Sequence, residues 1–171
     1  LSYPEAVEFL AKRANMPMPE ETNDAESRKR ARMLALNRDA ARFFYDQLST
    51  PLGESAREYI GKRQIRPATV KRFGLGAAPD DWSLLLNAME KKGYTGQELF
   101  EAVLARRGKN GGYYDTFRNR LMFPVIDVRG NVIGFSGRIL GDGEPKYMNS
   151  PETLVFNKSR NLFALNLAKK S

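Results

Sequence analysis

Arginines, lysines, a tyrosine and an asparagine are interspersed with apolar residues and with loops rich in Gly, Pro and Ser in the segment 117–160. An arginine binds phosphate through two parallel hydrogen bonds, and a lysine presents a compact positive charge to a triphosphate. Tyrosine stacks on bases, and asparagine hydrogen-bonds to sugar or base edges. The segment therefore holds the residue types needed to bind a nucleic acid and a nucleotide: Arg118, Arg120, Arg138, Lys146, Tyr147, Asn149 and Lys158.

The same residues have a structural explanation. A solvated basic surface accounts for the cations equally well when residue type alone is considered, and Tyr147 then fills space on a sheet. Arg118 and Arg120 flank Asn119 ahead of an apolar strand, so their side chains alternate across the sheet with that of Asn119. Because only part of this trio can face one groove, we expect at least one of its members to be structural.

The element that must position most of these side chains is a β-hairpin. Two apolar runs, residues 121–128 and 132–139, are separated by the turn Arg129-Gly130-Asn131, which is the pattern of two paired strands. Pro124 lies within the first run and has no N–H for a ladder, so we predict a sheet edge or a bulge there. The loop 141–145 should then present Lys146 and Tyr147.

Upstream of the hairpin, apolar residues recur at helical spacing. Helices are predicted over 24–48, 55–63, 67–73 and 81–92, after a first helix that starts at Ser2. A further helix begins at the capping box of Thr95 and Glu98 and ends on Arg106 and Arg107. Trp82 is predicted to be buried in the core, with a stacking platform as the alternative. Arg63 lies at a helix end, where a cation complements the helix dipole.

The predicted fold class is α+β, with helices packed around a small, mostly antiparallel β-sheet from residues 113–149. Residues 1–108 are expected to be mainly helical, and residues 109–171 to supply the hairpin and basic loops. The 171 residues carry a net charge of +8, which favours an anionic partner, with nucleic acid as one possibility.

Cysteine and histidine are absent, which excludes disulfides, thiol nucleophiles, zinc fingers and histidine acid–base chemistry within the chain. No apolar run reaches the roughly 18 residues of a membrane span. We therefore expect no membrane partner and a cytoplasmic protein.

Three blocks, FRNRLMFPVIDVRGNVIGFSGRIL, PKYMNSPET and FNKSR, resemble the signature region of bacterial DnaG-type DNA primases in order, spacing and chemistry. Looser similarity extends upstream through SAREYIGKR and VKRFGLGAAP. The chain departs from the usual family pattern at Ser136, where glycine is expected, at Met148, where leucine is expected, and at Asn157-Lys158-Ser159, where His-Lys-Gly is expected. The missing histidine removes a hydrogen-bonding group beside Lys158 but no charge.

The resemblance implies that the chain is the N-terminal subdomain of a primase catalytic core, which makes RNA primers on single-stranded DNA. It implies a DNA-binding set and a nucleotide-binding set, with Arg138, Lys146 and Lys158 taking part in catalysis. The DNA-binding set is Arg63, Arg118, Arg120, Arg138 and Tyr147, and the nucleotide-binding set is Lys146, Tyr147, Asn149 and Lys158.

Further parts of the parent enzyme are implied by the same resemblance. Mg²⁺ is expected in a TOPRIM domain downstream, Zn²⁺ in a domain upstream, and the replicative helicase is expected to bind other parts. The partners of the enzyme are template DNA, nucleoside triphosphates and the RNA primer. Because phosphoryl transfer relies on metals held by clustered carboxylates, and no convincing cluster occurs here, the isolated chain is expected to bind but not to polymerise.

Two alternatives remain at this point. The first is a stand-alone module that binds single-stranded nucleic acid without enzymatic activity, which sequence beyond position 171 would distinguish from a primase. The second is an interaction scaffold whose basic surface docks an acidic protein, and salt-sensitive binding to oligonucleotides would count against it.

Overall fold

The computed structural model describes residues 22–159, together with 9–10 and 13–14. The predicted helix start at Ser2 and the apolar segment 162–167 lie outside the described residues. The chain divides into two units, residues 1–31 and 32–171, and the second unit contains the sheets and the candidate site. Within the described part, no helix is long and apolar enough to cross a bilayer.

Five helices are present in residues 22–159, and a single 3-10 turn, Pro51–Gly53, separates the first two. The first four match the predicted spans closely, except that the fourth begins three residues later than expected. The fifth is shorter than predicted, because Val103 adopts a φ of 60°, which a helix does not allow. The helices are α1 (Thr22–Gln47), α2 (Glu54–Lys62), α3 (Pro67–Phe73), α4 (Leu84–Lys91) and α5 (Gly96–Glu101).

The strands form a four-stranded antiparallel sheet, in the order β1-β4-β5-β6, and a two-stranded sheet of β2 and β3. This confirms the α+β class. The predicted limits of the sheet were wrong at two points, because β1 comes from far upstream and the segment 113–115 pairs with a strand that had been assigned to a helix end. The strands are β1 (Gly76–Ala78), β2 (Ala105–Arg107), β3 (Tyr113–Asp115), β4 (Arg120–Ile126), β5 (Val132–Ile139) and β6 (Tyr147–Asn149).

The predicted hairpin is the pair β4 and β5. In its turn, the Asp127 carboxylate accepts hydrogen bonds from the backbone N–H groups of Arg129 and Asn131, both at 2.9 Å. Gly130 has a φ of 88°, a conformation that glycine adopts without steric cost. These interactions hold the two strands in one register.

The prediction for Pro124 is also confirmed. The ladder shifts register between Val125 and Ile126, which marks a bulge that begins one residue after the proline. On the other side, β1 pairs only with residues 120–122. Pro124, which lacks an N–H, therefore lies beyond the part of β4 that pairs with β1.

Both faces of the four-stranded sheet are covered by apolar side chains. On one face Leu121 and Phe123 belong to a cluster with Tyr59 and Ile60 of α2. On the other face Met122 belongs to the larger core, which also contains Phe135 and the α1 residues Met33, Leu36, Ala40 and Phe44. The rings of Phe44 and Phe135 meet edge to face, with centroids 5.5 Å apart. This buries the predicted apolar stripe of α1.

Helix α5 begins with the predicted capping box. The Thr95 hydroxyl accepts a hydrogen bond from the Glu98 N–H, and the Glu98 carboxylate accepts one from the Thr95 N–H at 2.8 Å. The same carboxylate accepts a hydrogen bond from Arg32 of α1 at 2.8 Å, which lowers the pKa of Glu98. The cap therefore also links α5 to the long helix.

Gly137 gives a first prediction, because a Cβ at that position would lie 2.9 Å from Cδ of Arg120 and 3.1 Å from Sδ of Met122. We expect Gly137→Ala to lower the free energy of unfolding by about 1–3 kcal/mol through overpacking. Gly61 in α2 is the matched control, since a Cβ there meets nothing within 4 Å, and Gly61→Ala should raise stability by about 0.5–1 kcal/mol. Urea unfolding of both variants tests this, and equal effects would contradict it.

Candidate nucleic-acid and nucleotide interface

Arginine and tyrosine side chains alternate in a row on the face of the sheet that packs against α2. Two guanidinium groups approach the Tyr59 ring, with Cζ of Arg63 5.5 Å and Cζ of Arg138 4.7 Å from its centroid. Cζ of Arg138 is also 5.9 Å from the Tyr147 ring of β6. We call these four residues the arginine–tyrosine row. It joins three residues predicted from the sequence, Arg63, Arg138 and Tyr147.

The strand register explains why this row forms. Arg138 is opposite Leu121 of β4 and Tyr147 of β6, so all three side chains point to the same face of the sheet. Arg63 follows the last residue of α2 and is exposed, one helical turn beyond Tyr59. Helix α2 thus places Arg63 near Arg138 of the sheet, although the two arginines are about 75 residues apart in the sequence.

Arg138 is only partly satisfied by the protein. One terminal nitrogen donates to the Ile139 carbonyl, and the buried Nε has no hydrogen-bond partner. An unmade hydrogen bond at a buried donor costs free energy. The guanidinium is thus held in place by the two tyrosine rings and by the Ile139 carbonyl.

A cleft of about 390 Å³ adjoins the row and has Tyr147 in common with it. Ser136 of β5 and Asn149 of β6 lie side by side in the wall, with 2.6 Å between the serine hydroxyl and Oδ1 of the asparagine. Lys158 contributes the positive charge, and the remaining walls are apolar. The lining residues are Phe123, Val125, Phe135, Ser136, Tyr147, Asn149, Phe156 and Lys158.

Lys146 is separated from the other members of the predicted nucleotide-binding set. It is exposed and precedes β6, but it is not among the residues that line the cleft. Its carbonyl accepts a hydrogen bond from the Ile139 N–H, which extends the β5–β6 ladder by one residue. Because side chains alternate along an extended chain, the Lys146 side chain points to the face opposite to that of Tyr147.

A second cluster contains Trp82, which the sequence had placed in the core. That prediction was wrong: 63% of Trp82 is exposed, because α4 begins only at Leu84 and its helical phase does not extend back to the tryptophan. Cζ of Arg118 lies 3.9 Å from the indole centroid, and the Tyr114 ring meets the indole edge to face at 5.4 Å. We call Trp82, Tyr114 and Arg118 the tryptophan platform.

The two groups lie at the same end of the β4–β5 hairpin. Arg118 comes two residues before β4 begins, and Arg138 is the penultimate residue of β5, which is antiparallel to β4. The hairpin turn lies at the other end. The open end of the hairpin therefore carries an arginine of each group.

Arg120 does not belong to this surface, although the sequence placed it there. Only 3% of Arg120 is exposed, and one terminal nitrogen donates to the Gly137 carbonyl at 3.1 Å. Burial lowers the pKa of Arg120, and the nearby cations Arg118 and Arg106 lower it further. Among Arg118, Asn119 and Arg120, of which at least one was expected to be structural, Arg120 is thus buried in the structure.

The sequence analysis did not name Tyr59 among the candidate site residues, and it assigned Trp82 to the core. The signal for Tyr59 was its spacing of four residues from Arg63, which places both on one face of a helix. Trp82 had a weaker signal: two aspartates precede it, and such residues often stand before a helix rather than inside it.

The carboxylates of the described residues do not offer a metal site. No three His, Cys, Asp or Glu side chains in this part of the chain lie close enough together to hold a metal ion. Asp127 binds the hairpin turn, and Asp81 accepts a hydrogen bond from the Ser83 N–H at 2.8 Å. The described residues therefore do not fit Mg²⁺ or Zn²⁺, and no metal-dependent step is assigned to them.

Asp115 is the carboxylate with the most unusual surroundings. It is 3% exposed and accepts hydrogen bonds from the Leu85 and Leu86 N–H groups at 2.9 Å. Burial raises its pKa to about 6, and Asp81 adds to the rise, while the two backbone hydrogen bonds and Arg118 oppose it.

Comparison with known proteins gives a family match over most of the chain. Residues 43–169 match the family described as DNA primase catalytic core, N-terminal domain. The DNA primase of Clostridium acetobutylicum is 44% identical over 173 residues, covering 99% of this chain and 28% of the relative. The DNA primase of Escherichia coli K12 is 40% identical over 169 residues, covering 96% of this chain and 29% of the relative. The chain thus spans less than a third of these relatives.

Solved structures give the same match. The structure of the DnaG primase catalytic domain bound to ssDNA has a TM-score of 0.80 and 38% identity, and it covers 84% of this chain and 46% of that one. The RNA polymerase domain of Mycobacterium tuberculosis primase DnaG has a TM-score of 0.77 and 38% identity over 82% of this chain and 46% of that one. A structure of the Aquifex aeolicus primase with zinc-binding and RNA polymerase domains has a TM-score of 0.73 and 31% identity, and it covers 97% of this chain and 40% of that one.

The pKa of Asp115 predicts a pH dependence of stability. The folded chain holds this proton more tightly than the unfolded chain, whose ordinary value is 3.8. Protonation of Asp115 therefore stabilises the folded chain. This stabilisation is fully present below the unfolded pKa and is lost as pH rises through about 6. Relative to Asp115→Asn, the wild-type chain should gain about 1–3 kcal/mol of unfolding free energy between roughly pH 7.5 and pH 4.5. Urea unfolding at both pH values tests this, and a difference independent of pH would contradict it.

Proposed function

Because the chain belongs to the family of the DNA primase catalytic core, N-terminal domain, we propose that it supplies the basic wall of a primer-synthesis site. In this proposal it binds single-stranded DNA template and a nucleoside triphosphate, and the parent enzyme joins nucleotides into an RNA primer. The acidic metal site belongs to another part of the parent enzyme.

The observation that carries the proposal is the arginine–tyrosine row. A single strand presents phosphates and unpaired bases in alternation, and a surface that binds it combines cations with aromatic platforms. Arg63 and Arg138 are positioned on the same tyrosine ring, which fixes two phosphate contacts relative to each other. Binding of ssDNA by the similar DnaG catalytic domain supports this assignment.

The tryptophan platform extends the same binding mode. Base stacking on aromatic side chains contributes about 1–3 kcal/mol per base and tolerates any sequence. The exposed indole of Trp82 provides such a surface, and Arg118 stacked on it adds a positive charge. We propose that template passes the platform and the row at the open end of the hairpin.

The cleft is the proposed nucleotide site. Tyr147 and the phenylalanines offer apolar walls for a base or ribose, Asn149 offers an amide, and Lys158 offers a charge for the triphosphate. Lys146 lies outside the cleft. We therefore limit its proposed part in catalysis to the positive charge that it adds near the cleft, without direct contact to the nucleotide. This assignment keeps template and nucleotide on adjoining surfaces that meet at Tyr147.

Other parts of the parent enzyme complete the proposed function. The similar structure from Aquifex aeolicus includes a zinc-binding domain, and we propose that Zn²⁺, Mg²⁺ and the replicative helicase are bound by other parts of the parent enzyme. A cytoplasmic location remains a prediction from the same family role. A stand-alone module without enzymatic activity would use the same binding surface, and activity of a longer protein separates the two.

Template binding is tested by titrating a fluorescent single-stranded oligonucleotide at several salt concentrations. We expect Arg138→Ala and Arg63→Ala each to weaken binding and to reduce the slope of log affinity against log salt by roughly 0.7, the value for one lost phosphate contact. Both melting temperatures should change little, since partly exposed cations contribute little to folding.

Arg129→Ala is the matched control for this test, because it removes the same charge from the turn at the other end of the hairpin. It should leave the salt slope unchanged. Affinity of the wild type that does not depend on salt would remove phosphate contact as the main interaction, and equal slopes in all variants would remove the row from the site.

Nucleotide binding is tested by comparing Lys158→Ala with Lys146→Ala, which remove the same charge inside and outside the cleft. In the 171-residue chain, Lys158→Ala should weaken nucleoside triphosphate binding more than Lys146→Ala. In the longer primase, Lys158→Ala should lower the synthesis rate by roughly tenfold or more, as expected when one electrostatic donor is lost. Equal effects of the two variants would contradict the assignment of the cleft, and primer synthesis by the 171-residue chain alone would contradict the division of labour.

A further inference from the structure

Asp115 connects the parts of the tryptophan platform through four hydrogen bonds. Its carboxylate accepts from the Leu85 and Leu86 N–H groups at the start of α4. Its own N–H donates to the Trp82 carbonyl at 2.7 Å, and its carbonyl accepts from Nη1 of Arg118. The segment that carries the indole and the guanidinium stacked on it are thus attached to one buried residue of β3.

We propose that Asp115 is a positioning residue that holds Trp82 and Arg118 in the arrangement that stacks bases of single-stranded DNA, a role that rests on the proposed function. It does not touch the nucleic acid itself. Its backbone hydrogen bonds fix the positions of Arg118 and Trp82. Its side chain fixes the start of α4, which follows Trp82.

Simple capping of α4 does not explain this arrangement. Ser83 occupies the N-cap position, and serine is among the residues that cap helices best, yet its side chain makes no capping hydrogen bond. Instead, the Asp115 carboxylate, 30 residues downstream of Leu85, accepts the hydrogen bond from the Leu85 N–H. Burial of a carboxylate is costly, whereas a local serine cap carries no such cost. The long-range cap has the additional effect of fastening Trp82 to β3, which a local cap would not have.

Trp82 is the single tryptophan of the chain, so its fluorescence reports on the platform directly. Asp115→Asn keeps the size of the side chain but replaces one acceptor oxygen by a donor, which removes one of its two backbone hydrogen bonds. We expect greater quenching of Trp82 by acrylamide, and oligonucleotide affinity about fivefold or more weaker, because part of the stacking is lost.

Asp127→Asn is the matched control. It makes the same change of charge and also removes a carboxylate that accepts from two backbone N–H groups, but in the hairpin turn. Its Trp82 quenching and its oligonucleotide affinity should equal those of the wild type. A similar loss of affinity in Asp127→Asn would assign the effect of Asp115→Asn to charge or general destabilisation and would overturn the proposal.

The decisive measurement repeats Asp115→Asn in a Trp82→Ala/Arg118→Ala background, where the platform is already absent. A positioning role predicts that Asp115→Asn then weakens binding by less than about twofold, because residues that act as a unit are not additive. Equal weakening in both backgrounds, or unchanged Trp82 quenching in the single variant, would overturn the proposal.

If Asp115→Asn does not fold at the assay temperature, the wild type provides the test. Protonation of Asp115 removes the same acceptor, and the charged groups that act on it are Asp81 and Arg118. Trp82 quenching should then increase as pH falls through about 6, and constant quenching from about pH 7.5 to pH 5 would overturn the proposal. These fluorescence measurements need no nucleic acid, so failure of the wild type to bind an oligonucleotide would contradict the proposed function alone.

Discussion

The register of the β4–β5 ladder is the constraint on which the rest of the structure depends. Because side chains alternate with a period of two, a slip by one residue would turn Arg138 into the core and Phe135 out of it. The turn held by Asp127, the bulge after Val125 and the positive φ of Gly130 all oppose such a slip. The same register aligns Tyr147 with Arg138 and Asn149 with Ser136, so the arginine–tyrosine row and the cleft are both consequences of it.

Burial of both faces of the sheet limits where binding residues can lie. Strand β4 is paired on both sides at its start and is covered by apolar clusters above and below. Polar side chains that reach a ligand therefore come from the β5–β6 edge and from the ends of the strands. Arg120 shows the cost of a cation placed elsewhere: its side chain crosses Gly137, whose missing Cβ leaves room for it, and its pKa is lowered by burial. An arginine with no acidic partner among the described residues is tolerated there because the Gly137 carbonyl accepts a hydrogen bond from it.

Local patterns predicted the parts of the fold that local chemistry determines. The hairpin, the Thr95 capping box and the end of α3 at Gly74, with its φ of 64°, all depend on residues that are near one another in sequence. Trp82 and Arg120 depend on tertiary context instead. A helical stripe does not show where the helix begins, and a strand pattern does not show whether both of its faces are covered. The two-stranded sheet was missed for a related reason, since each strand has three residues and its pairing partner lies across a turn.

The binding surface uses arginine where lysine would carry the same charge, and geometry explains why. A planar guanidinium stacks on an aromatic ring and still directs hydrogen-bond donors outward, whereas a lysine ammonium has no plane to stack. Arg118 on Trp82 and Arg138 on Tyr59 both adopt this arrangement, and such stacking within the protein restricts side-chain freedom that binding would otherwise cost.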